Sequence, residues 1–171
     1  CLSCGLCHEV CPSGVDFLYF VRGARNEARK EGNDGIATHE GVFESIGRLM
    51  LKEKPSINWL ENVETDEKSD VIYFAGCLPF FDIMFKEIGF NGKNIAESSV
   101  KLLNKYDIKP SVVYGCCGHD ALWNGDLELF NKLVDNNMKM LKEKKAKKII
   151  FSCPECYRTF KMDYPSMNVE L

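Results

Sequence analysis

The amino-acid sequence predicts an α/β fold in which helices flank a small, mainly parallel β-sheet. After residue 70, short apolar runs alternate with amphipathic patterns, as in strands that are joined by helical crossovers. Three of these runs end at cysteines, which suggests that the strands share a functional edge. Before residue 70 the periodicity is helical, so the amino-terminal part is expected to contain helices and no strand.

The amino-terminal part is predicted to form a cysteine loop and two helices. After the loop at residues 1–12, a helix opens on Ser13 and stops near Gly32. A second helix starts at Thr38 and ends before Pro55, because proline cannot continue a helix. The apolar stripes that define these helices are Phe17, Phe20, Val21, Ala24 and Ala28 in the first, and Val42, Phe43, Ile46, Leu49 and Met50 in the second.

The remainder of the chain is predicted to alternate strands with helices. The strands are expected at residues 70–77, 110–118, 147–153 and 168–171. Asp126 is a suitable cap for the helix between the second and third strands, and a short helix follows the third strand. The apolar faces of the two crossover helices are Ile95, Val100, Leu103 and Tyr106 in the first, and Leu127, Phe130, Val134, Met138 and Leu141 in the second.

These elements predict a chain in three parts. Residues 1–54 form a helical module and residues 71–171 form the α/β domain. The polar, acidic residues 55–70 are expected to form a linker in which Trp59 and Leu60 dock onto a neighbouring element. The chain starts at a cysteine motif without a methionine and ends in a predicted strand, so we expect it to be a fragment of a longer protein.

Composition excludes several classes of function. The 171 residues carry a net charge of −3 and no dominant basic patch, so nothing indicates binding to nucleic acid. No run approaches 18 apolar residues, which argues against a membrane-spanning helix. We expect a cytoplasmic location, and docking onto a membrane partner at the cytoplasmic face stays compatible with the sequence.

The nine cysteines are the most unusual feature of the composition, and their clustering favours metal binding over disulfides. The first cluster, "CLSCGLCHEVCP", has the spacing C-x2-C-x2-C-x3-C-P of bacterial ferredoxins. By that pattern Cys1, Cys4 and Cys7 hold one 4Fe–4S cluster and Cys11 holds a second, whose other ligands are outside this chain. A zinc loop is the alternative, although zinc sites use cysteine pairs that are further apart.

The other five cysteines follow the first three predicted strands. Because the carboxyl ends of parallel strands meet at one edge of a sheet, five thiols are expected to converge there. A disulfide between adjacent cysteines would be strained, since neighbouring Cα atoms are about 3.8 Å apart and a relaxed disulfide needs roughly 4.4–6.8 Å. Structural zinc and inert buried thiols remain alternatives to an iron–sulfur cluster. The five residues are Cys77, Cys116, Cys117, Cys153 and Cys156.

The spacing C-x38-C-C-G-x34-C-P-x-C resembles the cysteine-rich, or CCG, domain of heterodisulfide reductases and related iron–sulfur oxidoreductases. The segments that carry the resemblance are "YFAGCLPFFD", "YGCCGHDALWNGD" and "FSCPECYRTFKMDYP". The amino-terminal "CLSCGLCHEVCPSGVD" is similar to the second ferredoxin motif of the same proteins. The order of motifs matches fused subunits of the heterodisulfide reductase D type, and also the iron–sulfur subunits of glycolate and lactate oxidases and of thiol:fumarate reductase.

The resemblance implies a ferredoxin-type helical half-module followed by the first CCG domain of a pair. It implies that Cys77, Cys116, Cys117, Cys153 and Cys156 bind a noncubane 4Fe–4S cluster, with zinc as the alternative. The implied function is two-electron disulfide or thiol chemistry in a complex with a flavoprotein or a membrane electron-transfer subunit. The alternatives are an electron relay between a flavin dehydrogenase and a thiol or quinone pool, and a zinc-binding scaffold without activity. His119, directly after the CCG motif, is a candidate proton donor because histidine side chains in general change their charge near neutral pH.

Overall fold

The computed structural model describes residues 5–33, 38–52 and 59–171. Its helices and strands alternate after residue 70, and short 3-10 segments lie at Thr38–Gly41 and Lys86–Ile88. In chain order the elements are α1 (Leu6–Glu9), α2 (Phe17–Lys30), α3 (Val42–Lys52), β1 (Val71–Gly76), α4 (Leu78–Met84), α5 (Gly92–Asn104), β2 (Ser111–Tyr114), α6 (His119–Trp123), α7 (Leu127–Glu143), β3 (Lys148–Phe151) and α8 (Pro154–Met162).

The sheet has the strand order β2-β1-β3, and both pairings are parallel. Tyr73 in β1 is the Cα partner of Val112 on one side and of Ile150 on the other. The predicted α/β class with a small parallel sheet is therefore confirmed. The predicted fourth strand is reduced to a single parallel bridge between Lys148 and Glu170, in which the Glu170 N–H donates to the Lys147 carbonyl at 2.8 Å.

The central strand β1 is buried on both faces, as expected for a parallel sheet that is covered by helices. Ile72 and Phe74 point into the larger core, which α3, α6, α7 and α8 complete. Tyr73 and Ala75 point into the smaller core, where Trp59 also lies. The carboxyl end of β1 therefore lies in the middle of the molecule, between the helices that cover the two faces of the sheet.

Two helices follow their predicted apolar stripes only in part. In α7 the residues Phe130, Val134 and Leu141 are buried as predicted. In α5, Val100 of the predicted stripe is buried together with Ala96, whereas Ile95 is exposed, and the exposed Tyr106 lies beyond the end of the helix. Small inward residues let α5 pack close to the strands, so the larger apolar side chains next to them are left on the outer face.

The orientation of α2 differs from the prediction. The helix begins at Phe17, because Asp16 caps it by accepting a hydrogen bond from the Tyr19 N–H at 3.1 Å. Phe17 and Phe20 of the predicted stripe are 40% and 66% exposed, and no residue of α2 is buried. The side that faces the rest of the chain instead carries Arg22, Arg25 and Arg29, whose acceptors within residues 71–171 are backbone carbonyls and carboxylates.

The second amino-terminal helix, α3, packs with the α/β domain. Its residues Ile46 and Met50 belong to the same core as the sheet, whereas Leu49 of the predicted stripe is 53% exposed. Gly47 allows a close approach, since a Cβ atom there would lie 3.3 Å from Leu133 Cδ1 and 3.6 Å from the sulfur of Cys116. The predicted helix end at Pro55 lies outside the described residues.

Candidate metal centre

Five thiols meet where the three strands end. Cys77 follows β1 directly, Cys116 and Cys117 follow β2 after a glycine, and Cys153 and Cys156 frame the start of α8. Cys116, Cys117 and Cys156 are buried, while the other two are partly exposed. All cysteines within the described residues are free thiols.

The thiols form two hydrogen-bonded groups. Cys77 contacts Cys116 in the first group, and Cys156 contacts both Cys117 and Cys153 in the second. The adjacent residues Cys116 and Cys117 thus have different thiol hydrogen-bond partners. A strained disulfide between them is not formed.

These contacts divide the thiols into proton donors and acceptors. The hydrogen bond from Cys77 lowers the pKa of Cys116, and the N–H of Gly118 adds a further donor at 3.4 Å. The hydrogen bond from Cys156 lowers the pKa of Cys153 to about 6, and the backbone N–H groups of Cys156 and Glu155 act in the same direction. The donor thiols Cys77 and Cys156 have raised pKa values, mainly through these hydrogen bonds and then through burial. Thiolate character, which metal ligation requires, is therefore favoured at Cys116 and Cys153 and disfavoured at Cys77 and Cys156.

Two glycines with left-handed backbone conformation shape the site. A Cβ atom on Gly76, which has φ +61°, would lie 3.3 Å from the Cys156 sulfur. A Cβ atom on Gly118, which has φ +86°, would lie 2.8 Å from Cδ2 of Phe130. Residues that carry a Cβ atom rarely adopt this left-handed backbone conformation. Both positions therefore require glycine.

The backbone of the adjacent cysteines is held by two buried polar side chains that the sequence patterns did not indicate. The Asn137 amide donates to the Cys116 carbonyl at 2.8 Å and to the Tyr164 hydroxyl at 2.8 Å. The Tyr164 hydroxyl donates to the Cys117 carbonyl at 3.0 Å. The only signal in the sequence is that Asn137 interrupts the inward face of α7 with a polar residue.

His119 begins α6 and lies next to the thiols in the chain. Its Nδ1 atom is 3.2 Å from the hydroxyl oxygen of Thr159, and its ring is tilted against Trp123 with 6.2 Å between centroids. The contact with Thr159, which is fully buried in α8, fixes the orientation of the imidazole. The carboxyl group of the next residue, Asp120, has a pKa raised by burial. The role of His119 as a proton donor stays a prediction.

The amino-terminal motif is described only in part. Cys1 and Cys4 lie outside the described residues, Cys7 is exposed and Cys11 is partly exposed. The N–H of Val15 donates to the Cys11 sulfur at 3.5 Å, and this hydrogen bond is the main reason that the pKa of Cys11 is lowered. Part of the predicted loop forms the short helix α1.

The donor set at the strand ends is suited to an iron–sulfur cluster. It consists of five thiols and a glycine, Gly76, that leaves space beside a sulfur atom. Among residues 5–33, 38–52 and 59–171, no three histidine, cysteine or carboxylate side chains are grouped tightly enough for a single metal ion. A groove of about 550 Å³ along the outer edge of β3 reaches Cys153 and is lined there by Phe151, Pro154 and Tyr157. No helix in the described part of the chain is long and apolar enough to cross a membrane.

Comparison with known proteins finds relatives that cover nearly the whole chain. One subunit of the dihydromethanophenazine:CoB–CoM heterodisulfide reductase from Methanosarcina mazei is 29% identical over 98% of this chain and 41% of its own length. One subunit of the fumarate reductase (CoM/CoB) from Methanothermobacter marburgensis is 26% identical over 100% of this chain and 34% of its own length. An EtfAB:quinone oxidoreductase from Syntrophomonas wolfei is 26% identical over 98% of this chain and 25% of its own length.

The chain thus spans about two fifths of the length of the heterodisulfide reductase subunits that it matches. No solved structure matches the chain. The family model of the cysteine-rich domain, CCG, matches residues 71–161, which begin at β1 and end within α8. This range contains all five thiols that meet at the strand ends, and it makes up more than half of the chain. The chain belongs to the family of cysteine-rich CCG domains.

Proposed function

We propose that this chain is part of an iron–sulfur subunit that carries out disulfide and thiol redox chemistry in a heterodisulfide reductase-like complex. The observation that carries the proposal is the position of five thiols just after the carboxyl ends of three parallel strands, at one edge of the sheet. Cys77, Cys116, Cys117, Cys153 and Cys156 would hold a noncubane 4Fe–4S cluster. Zinc is the alternative occupant of the same residues.

The chemistry of this reaction class consumes two electrons and two protons for each disulfide that is cleaved to two thiols. A cluster held by the five CCG cysteines would supply Lewis acidity toward a thiolate, and ferredoxin-type clusters would supply single electrons. A substrate would approach the edge of the site through the groove beside Cys153. His119, oriented by Thr159, would hold a proton for a departing thiolate.

The remaining parts of the chain have supporting roles in this proposal. Cys1, Cys4 and Cys7 would hold a ferredoxin-type 4Fe–4S cluster, and Cys11 would serve a second one. Residues 1–54 would then form a ferredoxin-type half-module, residues 55–70 a linker and residues 71–171 the first CCG domain. We place the complex in the cytoplasm, with docking at the cytoplasmic membrane face where the partner is a membrane electron-transfer subunit.

An electron relay is the second candidate function. The relatives include proteins named as a fumarate reductase subunit and as an EtfAB:quinone oxidoreductase, and these names favour transfer between a flavoprotein and a thiol or quinone pool. Reduction of a small-molecule heterodisulfide by the complete complex separates the two candidates. Turnover with a competent electron donor supports the reductase, whereas electron transfer to quinone without disulfide cleavage supports the relay.

Iron and acid-labile sulfide analysis of the anaerobically prepared chain tests the cluster assignment. We expect Cys117→Ser to remove the iron and sulfide of the CCG site, because the replacement takes away a thiolate ligand. Cys7→Ser is the matched control, and it should leave the spectrum of the CCG site unchanged. Zinc without iron in the unmodified chain would overturn the assignment and leave the zinc-binding scaffold.

A further inference from the structure

We infer that Asn137 and Tyr164 are positioning residues that keep the adjacent thiols of Cys116 and Cys117 with different hydrogen-bond partners. This inference deepens the proposed function, because the pair belongs to the ligand set that we propose. It is carried by hydrogen bonds to backbone carbonyls and by burial. It can be tested in the metal-free chain.

Adjacent side chains need a fixed backbone if they are to keep separate partners. The Gly118 N–H donates to the buried Cys116 sulfur at 3.4 Å, and the hydrogen bonds that shift the thiol pKa values link Cys116 to Cys77 and Cys117 to Cys156. A rotation of the peptide unit between Cys116 and Cys117, or of the unit that follows Cys117, would exchange or remove the partners of the thiols. Whatever fixes these two peptide units therefore fixes the partners of the thiols.

The carbonyl of each cysteine is held by a different side chain. Asn137 donates to the Cys116 carbonyl at 2.8 Å, and Tyr164 donates to the Cys117 carbonyl at 3.0 Å. Asn137 also donates to the Tyr164 hydroxyl at 2.8 Å, so the two clamps form one network. Asn137 is 2% exposed and Tyr164 is 8% exposed, which leaves water little opportunity to replace either bond.

The network also connects the elements that supply the thiols. Asn137 lies in α7, and its Oδ1 atom would be 3.0 Å from a Cβ atom on Gly115, the residue before the pair. The Tyr164 ring stacks on Phe160 at a centroid distance of 4.1 Å. Phe160 is one helical turn after Cys156 in α8. Tyr164 thus ties the Cys116–Cys117 backbone to the helix that presents the partner of Cys117.

Disulfide mapping of the reduced, metal-free chain tests this inference directly. Diamide accepts two electrons and two protons for each pair of thiols that it oxidises to a disulfide, and mass spectrometry then identifies the pairs. We expect the unmodified chain to give mainly Cys77–Cys116, together with disulfides of Cys156 to either of its two hydrogen-bond partners, Cys117 and Cys153. Tyr164→Phe keeps the stacked ring and removes the clamp on Cys117. The yield of the crossed pairs Cys77–Cys117 and Cys116–Cys156, relative to the uncrossed pairs, should then rise about fivefold. A change of this size corresponds to the loss of one neutral hydrogen bond.

Tyr73→Phe is the matched control, because it also removes a buried tyrosine hydroxyl, here one that is 2.9 Å from the Ser152 hydroxyl. It should leave the ratio of crossed to uncrossed pairs unchanged. Asn137→Leu is the second variant, in case Tyr164→Phe does not fold, and it should raise the crossed pairs in the same way. An unchanged ratio in a folded variant, or an equal rise in the control, would overturn the positioning role.

The outcome is independent of metal content. If iron and sulfide analysis finds no cluster in the unmodified chain, the proposed function fails while the pairing pattern still tests the positioning of the thiols. If a cluster is present and the pairing ratio does not respond to Tyr164→Phe, the positioning inference alone fails.

Discussion

At the scale of single residues, the site depends on backbone positions that exclude a side chain. Gly118 follows the cysteine pair and has a left-handed φ of +86°. We expect Gly118→Ala to destabilise the chain by about 2–4 kcal/mol, because a left-handed alanine costs roughly 1–2 kcal/mol and the contact at 2.8 Å with Phe130 adds overpacking. Urea unfolding in reducing buffer measures the change in the free energy of unfolding.

The matched control for this prediction is Gly89→Ala. Gly89 has a similar φ of +78°, but no atom lies within 4 Å of the position that its Cβ would occupy. Only the cost of the left-handed backbone, roughly 1–2 kcal/mol, is expected there. If both variants lose the same stability, close packing at Gly118 contributes nothing.

At the scale of the elements, α2 shows what periodicity can and cannot predict. The apolar spacing correctly predicted a helix, but the predicted inward stripe lies outside, with Phe20 66% exposed. An apolar stripe predicts that an amphipathic helix is present. The orientation of that helix depends on the surface against which it packs. That surface consists of helix-end carbonyls and carboxylates, so arginines with long apolar stems face it.

The arginine face of α2 makes a specific prediction for Arg22. Its guanidinium pairs with Asp163 at 3.1 Å and lies over the Trp123 ring at 5.4 Å from the centroid. Asp163 is only 5% exposed, so the removal of a partner leaves its charge less compensated. We expect Arg22→Met to accelerate amide hydrogen exchange in α2 about tenfold, which corresponds to ~1.4 kcal/mol. Mass spectrometry of peptides from residues 17–30 measures the rate.

Lys30→Met in the same helix is the control for charge removal. Lys30 pairs with Glu27 at 2.7 Å, but both side chains are more than 60% exposed, and exposed pairs contribute little. Exchange in α2 is expected to stay at the rate of the unmodified chain. Equal acceleration in the two variants would mean that the contact with Asp163 and Trp123 does not anchor the helix.

The sheet could be predicted from sequence patterns, whereas the buried hydrogen-bond network of Asn137 and Tyr164 could not. The continuous apolar run of β1 and the strand-end cysteines were sufficient to predict a parallel sheet with the thiols at one edge, because parallel topology determines where strand ends meet. The contact between Asn137 and Tyr164 joins residues that are 27 positions apart in different elements. Neither residue belongs to a motif, and only the packing of α7 against the segment after α8 brings them together.

At the scale of the whole molecule, the amino-terminal helices are joined to the CCG domain in two different ways. The helix α3 contributes Ile46 and Met50 to the common apolar core, whereas α2 has no buried residue and is attached by its arginines. A backbone contact accompanies those arginines. A Cβ atom on Gly125, in the turn before α7, would lie 2.6 Å from the carbonyl carbon of Arg25 and 2.7 Å from the backbone nitrogen of Asn26.

We therefore expect Gly125→Ala to release α2 from the CCG domain while the sheet remains folded. Rotation of a side chain cannot relieve a clash with backbone atoms, so the helix itself has to move and its arginines lose their acceptors. Amide hydrogen exchange in residues 17–30 should accelerate at least about tenfold, which corresponds to the loss of roughly one charge-assisted hydrogen bond. The exchange rates in β1 and β3 should stay unchanged. Gly89→Ala, which has the same backbone cost and no contact, should leave α2 as it is. Unchanged exchange in α2 would refute the close contact, and a uniform rise across α2 and the strands would show that one cooperative unit includes both parts.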